Sequence, residues 1–183
     1  KNGNARCFFY YSGHGVPDEA TKKAYLLPVD AFSQDTSTGF STEELYRRLG
    51  AMPSKGTIVL LDACFSGANR DGAMLKAARG VALKAKEESL KGPMVVFSAA
   101  QGNETAYPYK AKEHGLFTYY MLEKLQQKGG DVTLGEMSDY VTHQVSEASL
   151  RENDKRQTPS VANSAEVTDW RNWKFALAPA TKF

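Results

Sequence analysis

The sequence predicts an α/β fold in which helices flank a mostly parallel central sheet. Near-continuous apolar runs recur along the chain, and such runs are typical of strands that are buried on both faces. Segments with helix-start signals lie between and after these runs, in the alternating order that α/β proteins show. The 183 residues, 42% of them apolar and 24% charged, suit one globular domain over residues 1–183.

Three apolar runs predict the principal strands. Residues 6–11 are rich in aromatic side chains, residues 57–62 combine leucines with β-branched residues, and residues 93–99 resemble the second run. Ser-Gly pairs follow the first two runs and indicate turns. Residues 173–177 form a weaker candidate for a fourth strand.

Two capping-box sequences predict where helices begin. Ser41 is followed three residues later by glutamate and starts a helix that should end near Gly50. Thr133 has the same pattern and opens a longer helix with one apolar stripe. Residues 115–127 predict a further helix that stops at a Gly-Gly pair, and residues 29–40 predict a surface loop.

Charge and cysteine content exclude several classes of protein. The chain carries 23 Lys and Arg against 21 Asp and Glu, a balance that does not support a nucleic-acid-binding surface. Two cysteines cannot build a disulfide-rich scaffold, and no apolar run approaches the roughly 18–20 residues that cross a bilayer. We therefore expect a soluble domain with no nucleic-acid or membrane partner. No signal peptide opens the chain, and the lack of an initial Met suggests a fragment or processed piece; the compartment and oligomeric state stay unknown.

The chemically informative residues follow the first two predicted strands. The first strand runs into Ser12, Gly13, His14 and Gly15, and the second ends at Asp62, with Cys64 two positions further on. Because the carboxyl ends of neighbouring parallel strands share one crevice, His14 and Cys64 should lie side by side if these strands are adjacent. An imidazole beside a thiol favours the nucleophilic thiolate and can later protonate a leaving amine.

Each of the two residues alone has a plainer interpretation. A buried cysteine at a strand end is usually a small hydrophobic residue, and a histidine in a glycine-rich turn is more often a loop residue. The combination is far more specific: an apolar strand, Ser-Gly-His-Gly, a second apolar strand and Asp-Ala-Cys-Phe-Ser-Gly, with His14 and Cys64 separated by 64 − 14 = 50 residues.

This pair of motifs resembles the caspase-like cysteine peptidases, and the metacaspase and bacterial caspase-homologue branch more than the animal caspases. The spacing agrees with the caspase signature, although Asp62 stands where that signature has glutamine. The similarity extends over roughly residues 6–160 through later segments, namely 97–107, 115–122 and 157–160. It implies a caspase-like sandwich from which the N-terminal strands, about two in number, are missing here.

The resemblance also implies a role for each motif residue. Cys64 would be the nucleophile, His14 the general base and acid, and the backbone N–H groups of Gly15 and Cys64 the oxyanion hole. Ser12 and Asp62 would line a pocket for the substrate side chain before the cleaved bond. A carboxylate there suits Arg or Lys, because an ion pair with hydrogen bonds offsets the desolvation of the cation. The alternative for Asp62 is a strand-end carboxylate that binds nearby turn amides.

Further candidates follow from the same resemblance. Glu104, Tyr107 and Tyr109 would belong to the rim of the substrate pocket, with a plain loop role equally open. Residues 68–92 form a basic segment that would be a processing loop if the pocket accepts basic side chains. The candidate self-cleavage sites in it are Arg70, Lys76, Arg79 and Lys84.

No cofactor is predicted for this chain. The histidines and cysteines lack zinc-ligand spacing, and the aspartates match no calcium-binding loop. Calcium activates some metacaspase relatives, but the sequence gives no support for it here.

The leading hypothesis is a cysteine endopeptidase that forms an acyl-enzyme and cleaves protein or peptide substrates after Arg or Lys. A second hypothesis is a catalytically silent caspase-like module with a binding or regulatory role. A third is thiol-dependent acyl transfer by the same nucleophile.

Overall fold

The computed structural model describes residues 3–18, 20–21, 23–32, 35–65, 90–101 and 104–176. Its strands are β1 (Arg6–Ser12), β2 (His14–Pro17), β3 (Ala24–Leu27), β4 (Phe40–Ser41), β5 (Gly56–Asp62), β6 (Met94–Ser98), β7 (Pro108–Tyr109), β8 (His114–Gly115) and β9 (Ser160–Asn163). Its helices are α1 (Thr42–Gly50), α2 (Leu116–Gln127) and α3 (Leu134–Asn153).

A four-stranded sheet in the order β1-β5-β6-β9 forms the centre of the fold. The strands β1, β5 and β6 run parallel, and β9 is antiparallel to β6. The predicted mostly parallel sheet is therefore confirmed, and its three parallel strands are those that the apolar runs indicated.

The central strand β5 shows why its sequence is apolar throughout, since all seven of its residues are buried. Ile58 and Leu60 pack in the hydrophobic cluster that includes α2 and α3. Val59 and Leu61 pack on the opposite face, in the cluster that includes α1. Helices thus cover both faces of β5, as the absence of apolar–polar alternation predicts, whereas Phe8 and Tyr10 of β1 are exposed.

The predicted fourth strand at residues 173–177 is wrong. In the described part of that segment Lys174 forms a single bridge to Thr133, and the fourth strand of the sheet is β9. Trp173 and Phe175 are apolar because they pack against the core, not because they belong to a ladder. The strand β9 was not predicted because its residues are half-buried or exposed and do not form an apolar run.

The helix starts agree with the capping sequences. The Ser41 hydroxyl accepts a hydrogen bond from the Glu44 backbone N–H at 3.4 Å, and α1 ends at Gly50. At α3, the Glu136 backbone N–H donates to the Thr133 hydroxyl at 3.1 Å, and the Thr133 N–H donates to the Glu136 carboxylate at 2.8 Å. The reciprocal pair at α3 is a complete capping box, whereas at α1 the Glu44 carboxylate binds Arg47 and Arg48. Both caps satisfy a backbone donor that the first helical turn leaves without a partner.

Two small sheets were not expected from the sequence. The strands β2, β3 and β4 form one antiparallel sheet, and β7 with β8 forms a short hairpin just before α2. Their strands span two to four residues, too few for a periodic signal. The segment predicted as a loop also holds a short 3₁₀ turn at Thr36–Thr38.

The chain after α3 returns to the amino ends of the parallel strands, where residues 170–176 form a C-terminal strap. A Cβ atom at Gly56, the first residue of β5, would lie 2.6 Å from the Trp173 ring. The Arg6 guanidinium lies 5.1 Å from the centroid of the same ring. Among the described helices, none has the length together with the hydrophobicity that a transmembrane span requires.

Candidate active site

The carboxyl ends of β1 and β5 bring the two sequence motifs to one edge of the sheet. The register pairs Ser12 with Asp62, and the Gly13 N–H donates to the Asp62 carbonyl oxygen at 3.2 Å. His14 and Cys64 each follow two residues beyond that pair, so the two segments leave the sheet next to each other. The two strands are adjacent, which is the condition under which the sequence predicts His14 and Cys64 to lie side by side.

The strand β2 packs directly on the segment that holds the cysteine. A Cβ atom at Gly15 would overlap the Phe65 ring and lie 2.9 Å from the Cys64 carbonyl oxygen. Glycine is required there for space. The Tyr11 hydroxyl, 2.8 Å from the His14 carbonyl oxygen and 2.9 Å from that of Leu27, ties this turn to β3.

The two chemically active side chains differ in exposure. His14 is exposed, whereas Cys64 is 1% exposed and belongs to the hydrophobic cluster beneath α2 and α3. The Cys64 thiol is not in a disulfide. The structure therefore holds His14 at the surface and Cys64 in the core.

A pocket of about 230 Å³ opens beside the end of β1. Its walls come from β1, the β7–β8 hairpin and the first turn of α2, through Tyr10, Ser12, Pro108, Tyr109, Lys110, Glu113, His114, Gly115 and Thr118. The pocket therefore lies next to the strand end that precedes the His14 turn, and Ser12 is one of its lining residues. That this pocket takes the substrate side chain stays a prediction.

Asp62 lies one layer behind the pocket wall. Its side chain is fully buried, and the Thr118 hydroxyl donates to its Oδ2 at 2.5 Å. A Cβ atom at Gly115 would overlap the same carboxylate oxygen. The negative charge thus sits at the N-terminus of α2, where the helix dipole stabilises an anion. The carboxylate therefore contacts the start of α2 and lies behind the pocket, and its part in substrate binding stays a prediction.

Glu104 and Tyr107 bind the chain segment that follows α3. The Glu104 carboxylate accepts hydrogen bonds from the Thr158 backbone N–H at 2.5 Å and from the Thr158 hydroxyl at 3.2 Å. The Tyr107 N–H donates to the Gln157 side chain at 2.7 Å, and Tyr107 is 9% exposed. These contacts favour a loop-fixing role, and substrate contact by either residue stays a prediction. Tyr109, by contrast, lines the pocket.

Sequence reasoning missed several residues of the pocket wall. Tyr10 and Thr118 contribute hydroxyl groups, and the hairpin contributes Lys110, Glu113 and His114. Thr118 was visible only as a residue near the start of a predicted helix, and nothing in the sequence indicates that this helix begins against the end of β1.

The candidate self-cleavage residues Arg70, Lys76, Arg79 and Lys84 lie outside the described residues. Within the described ranges, no group of three or more His, Cys, Asp and Glu side chains could hold a metal ion. The prediction of no cofactor stays a prediction.

The family model described as Caspase domain, Peptidase_C14, matches residues 1–168. No curated protein matches the chain.

Two solved structures resemble the fold. Protein GSU0716 from Geobacter sulfurreducens is 18% identical, with a TM-score of 0.64 over 94% of this chain and 72% of that one. Caspase-1 from Spodoptera frugiperda is 12% identical, with a TM-score of 0.50 over 86% of this chain and 59% of that one. At these identities the two structures show the shared fold alone.

Proposed function

Because this chain belongs to the caspase domain family, we propose that it is a cysteine endopeptidase with Cys64 as nucleophile and His14 as general base and acid. The observation that carries the proposal is the β1–β5 register. This register pairs Ser12 with Asp62, so the segments that contain His14 and Cys64 begin at the same edge of the sheet. The close approach of Gly15 to the Cys64 carbonyl oxygen adds support.

The reaction begins when His14 takes the proton of the Cys64 thiol. The thiolate attacks the carbonyl carbon of the scissile peptide bond, and the tetrahedral oxyanion accepts hydrogen bonds from the backbone N–H groups of Gly15 and Cys64. Collapse of this intermediate breaks the C–N bond, and His14 protonates the departing amine. Water then attacks the thioester with His14 as base, which releases the acid product and restores the thiol.

The substrate is a protein or peptide with Arg or Lys before the cleaved bond. The pocket beside Ser12 takes that side chain, and the Asp62 carboxylate behind its wall favours a cation over an anion. The same preference makes segment 68–92 a candidate for self-processing. The candidate sites there are Arg70, Lys76, Arg79 and Lys84.

The test compares the two cysteines of the chain. Cys64→Ala should abolish cleavage of peptides that carry Arg or Lys before the scissile bond, whereas Cys7→Ala should retain it. Cys7 is the matched control because it lies in β1 away from the predicted chemistry and is likewise a free thiol. Cleavage that survives in Cys64→Ala, or a preference for Asp over Arg in a peptide library, would contradict the proposal.

A catalytically silent caspase-like module is the second candidate, and the 1% exposure of Cys64 favours it. An arginyl chloromethyl ketone separates the two functions. Stoichiometric labelling of the native protein, absent in Cys64→Ala, identifies a working peptidase. Failure to label, together with no cleavage of any library member, identifies the silent module.

A further inference from the structure

A chain of hydrogen bonds leads from the buried Asp62 carboxylate to the wall of the pocket. The Thr118 hydroxyl donates to Asp62 Oδ2 at 2.5 Å, and the Tyr10 hydroxyl lies 2.8 Å from Thr118 Oγ1. Thr118 and Tyr10 both line the pocket, whereas Asp62 is fully buried behind them. The carboxylate is therefore linked to the pocket wall at Thr118 and, through Thr118, to Tyr10.

The direction of each proton in this chain follows from the chemistry of its members. A carboxylate only accepts hydrogen bonds, and a threonine hydroxyl has a single proton to donate. Because the Thr118 hydroxyl donates its proton to Asp62, the Tyr10 hydroxyl must be the donor in its bond to Thr118. The Tyr10 oxygen is then left with lone pairs alone.

We propose that Thr118 and Tyr10 determine the specificity of the pocket by relaying the charge of Asp62, and this inference rests on the proposed peptidase function. The fixed proton order makes Tyr10 Oη an acceptor on the pocket wall. A guanidinium or ammonium group, which only donates, is complementary to that oxygen and to the negative charge behind it. A carboxylate side chain meets lone pairs in the same place and is rejected.

The position of Thr118 explains why this relay is fixed. Thr118 lies in the first turn of α2 and is 7% exposed, so its hydroxyl stays between Asp62 and Tyr10. Tyr10 is 47% exposed, so its hydroxyl is the end of the hydrogen-bonded series that an entering substrate side chain would contact. A merely structural Thr118 would support Asp62 without any effect on which substrate the pocket prefers.

The experiment measures kcat/KM for two peptides that differ only in Arg or Met before the scissile bond. Thr118→Val should lower the value for the Arg peptide by about 10- to 100-fold, the range for a lost hydrogen bond to a charged group. In Thr118→Val the value for the Met peptide should change less than about threefold. In Thr118→Ser, which keeps the hydroxyl, the values for both peptides should change less than about threefold. Thr42→Val is the matched control, since Thr42 is a buried threonine that bonds the Ala24 carbonyl oxygen.

The second variant, Tyr10→Phe, does not depend on a change in the buried core. It should reduce cleavage of the Arg peptide selectively, and the double variant Thr118→Val with Tyr10→Phe should be no worse than Thr118→Val. Additive losses would mean that the two hydroxyls act separately and would overturn the relay. Equal losses for the Arg and Met peptides, or no loss for either, would overturn it as well.

Binding to the Cys64→Ala protein provides a readout without catalysis. Acetyl-arginine amide, followed by NMR or calorimetry, should bind this protein more weakly by the same factor when Thr118→Val is added. If the native protein cleaves after Arg but Thr118→Val leaves both readouts unchanged, the relay alone is wrong. If the native protein cleaves neither peptide and Cys64 does not react with the chloromethyl ketone, the proposed function itself has failed, and the relay falls with it.

Discussion

At the scale of single residues, Gly115 is required for the space it leaves. Its φ of −69° is open to any residue, so backbone conformation does not demand glycine. The Asp62 carboxylate, however, occupies the volume that a Cβ atom would need. The packing of one strand end against one helix start thus depends on a missing methyl group.

We expect Gly115→Ala to destabilise the protein by about 1–3 kcal/mol, the usual cost of overpacking a buried site. The methyl group displaces the Asp62 carboxylate and lengthens its hydrogen bond from Thr118. Urea unfolding measures the loss, and the cleavage of Arg peptides should decline with it.

A double-mutant cycle provides the control for Gly115→Ala. In an Asp62→Ala background the extra methyl group finds room, so Gly115→Ala should then have a much smaller effect on stability. The capping preference at the start of α2 is the same in both backgrounds and cancels. Equal losses in the two backgrounds would show that the carboxylate is not what demands glycine.

Only the part of the candidate site that lies in short sequence motifs can be predicted from the sequence. Ser12 and His14 follow one apolar run, and Asp62 and Cys64 lie at the end of another, so the sequence alone indicates that the two strand ends are close, as their pairing shows. Thr118 lies over fifty residues away from both motifs, and its role depends on where α2 begins relative to β1. The burial of Cys64 likewise depends on packing between distant elements, which no local pattern encodes.

At the scale of secondary-structure elements, α3 owes its start to a complete capping box. Thr133→Ala should destabilise the protein by about 1 kcal/mol, because the Glu136 N–H loses its acceptor. Thr142→Ala, in the interior of the same helix, is the control and should be neutral or slightly stabilising, since alanine favours helix. Thermal unfolding compares the two variants, and an equal loss in both would contradict the capping role.

The other half of the box predicts a dependence on pH. The hydrogen bond from the Thr133 backbone N–H lowers the pKa of Glu136 below its ordinary value of 4.5. A lowered folded-state pKa contributes stability above the unfolded value, and this contribution is lost as the pH falls through the folded value. Glu136→Gln should therefore reduce stability at pH 7, and the difference from the native protein should shrink below about pH 4.5. A constant difference from pH 7 to pH 3 would show that the charge of Glu136 has no part in the cap.

The elements also show why some strands are easier to predict than others. The strand β5 is buried on both faces and reads as an uninterrupted apolar run, whereas β9 is an edge strand with exposed residues. The segment around Trp173 gave a false strand signal for a related reason. Packing rather than hydrogen-bond pairing selects apolar residues, and Trp173 and Phe175 are half-buried against the core without belonging to a ladder.

At the scale of the whole molecule, the predicted chemistry and the packing of the C-terminal strap involve different ends of the strands. The strands β1 and β5 end at the pocket and the His14 turn, whereas Trp173 and Phe175 of the strap pack toward the amino ends of the same two strands. There the Trp173 ring packs on Gly56, and the Phe175 ring lies 5.2 Å from that of Phe8. Hydrogen bonds from the Phe175 N–H to the Val132 carbonyl oxygen and from the Leu134 N–H to the Trp173 carbonyl oxygen, both 2.8 Å, fasten the strap to the start of α3.

This separation predicts that Trp173→Ala weakens the fold without changing the specificity. Trp173 is half-buried, so we expect a loss of about 2 kcal/mol, below the ~3–5 kcal/mol of a fully buried tryptophan. Trp173→Phe keeps a ring over Gly56 and should recover part of that loss. The ratio of kcat/KM for Arg and Met peptides, measured well below the unfolding temperature, should stay that of the native protein, because Trp173 packs on Gly56 and Arg6 at the amino ends of β5 and β1. A changed ratio would show that the two ends of the sheet are coupled, and the pocket would then depend on the whole sheet instead of the strand tips alone.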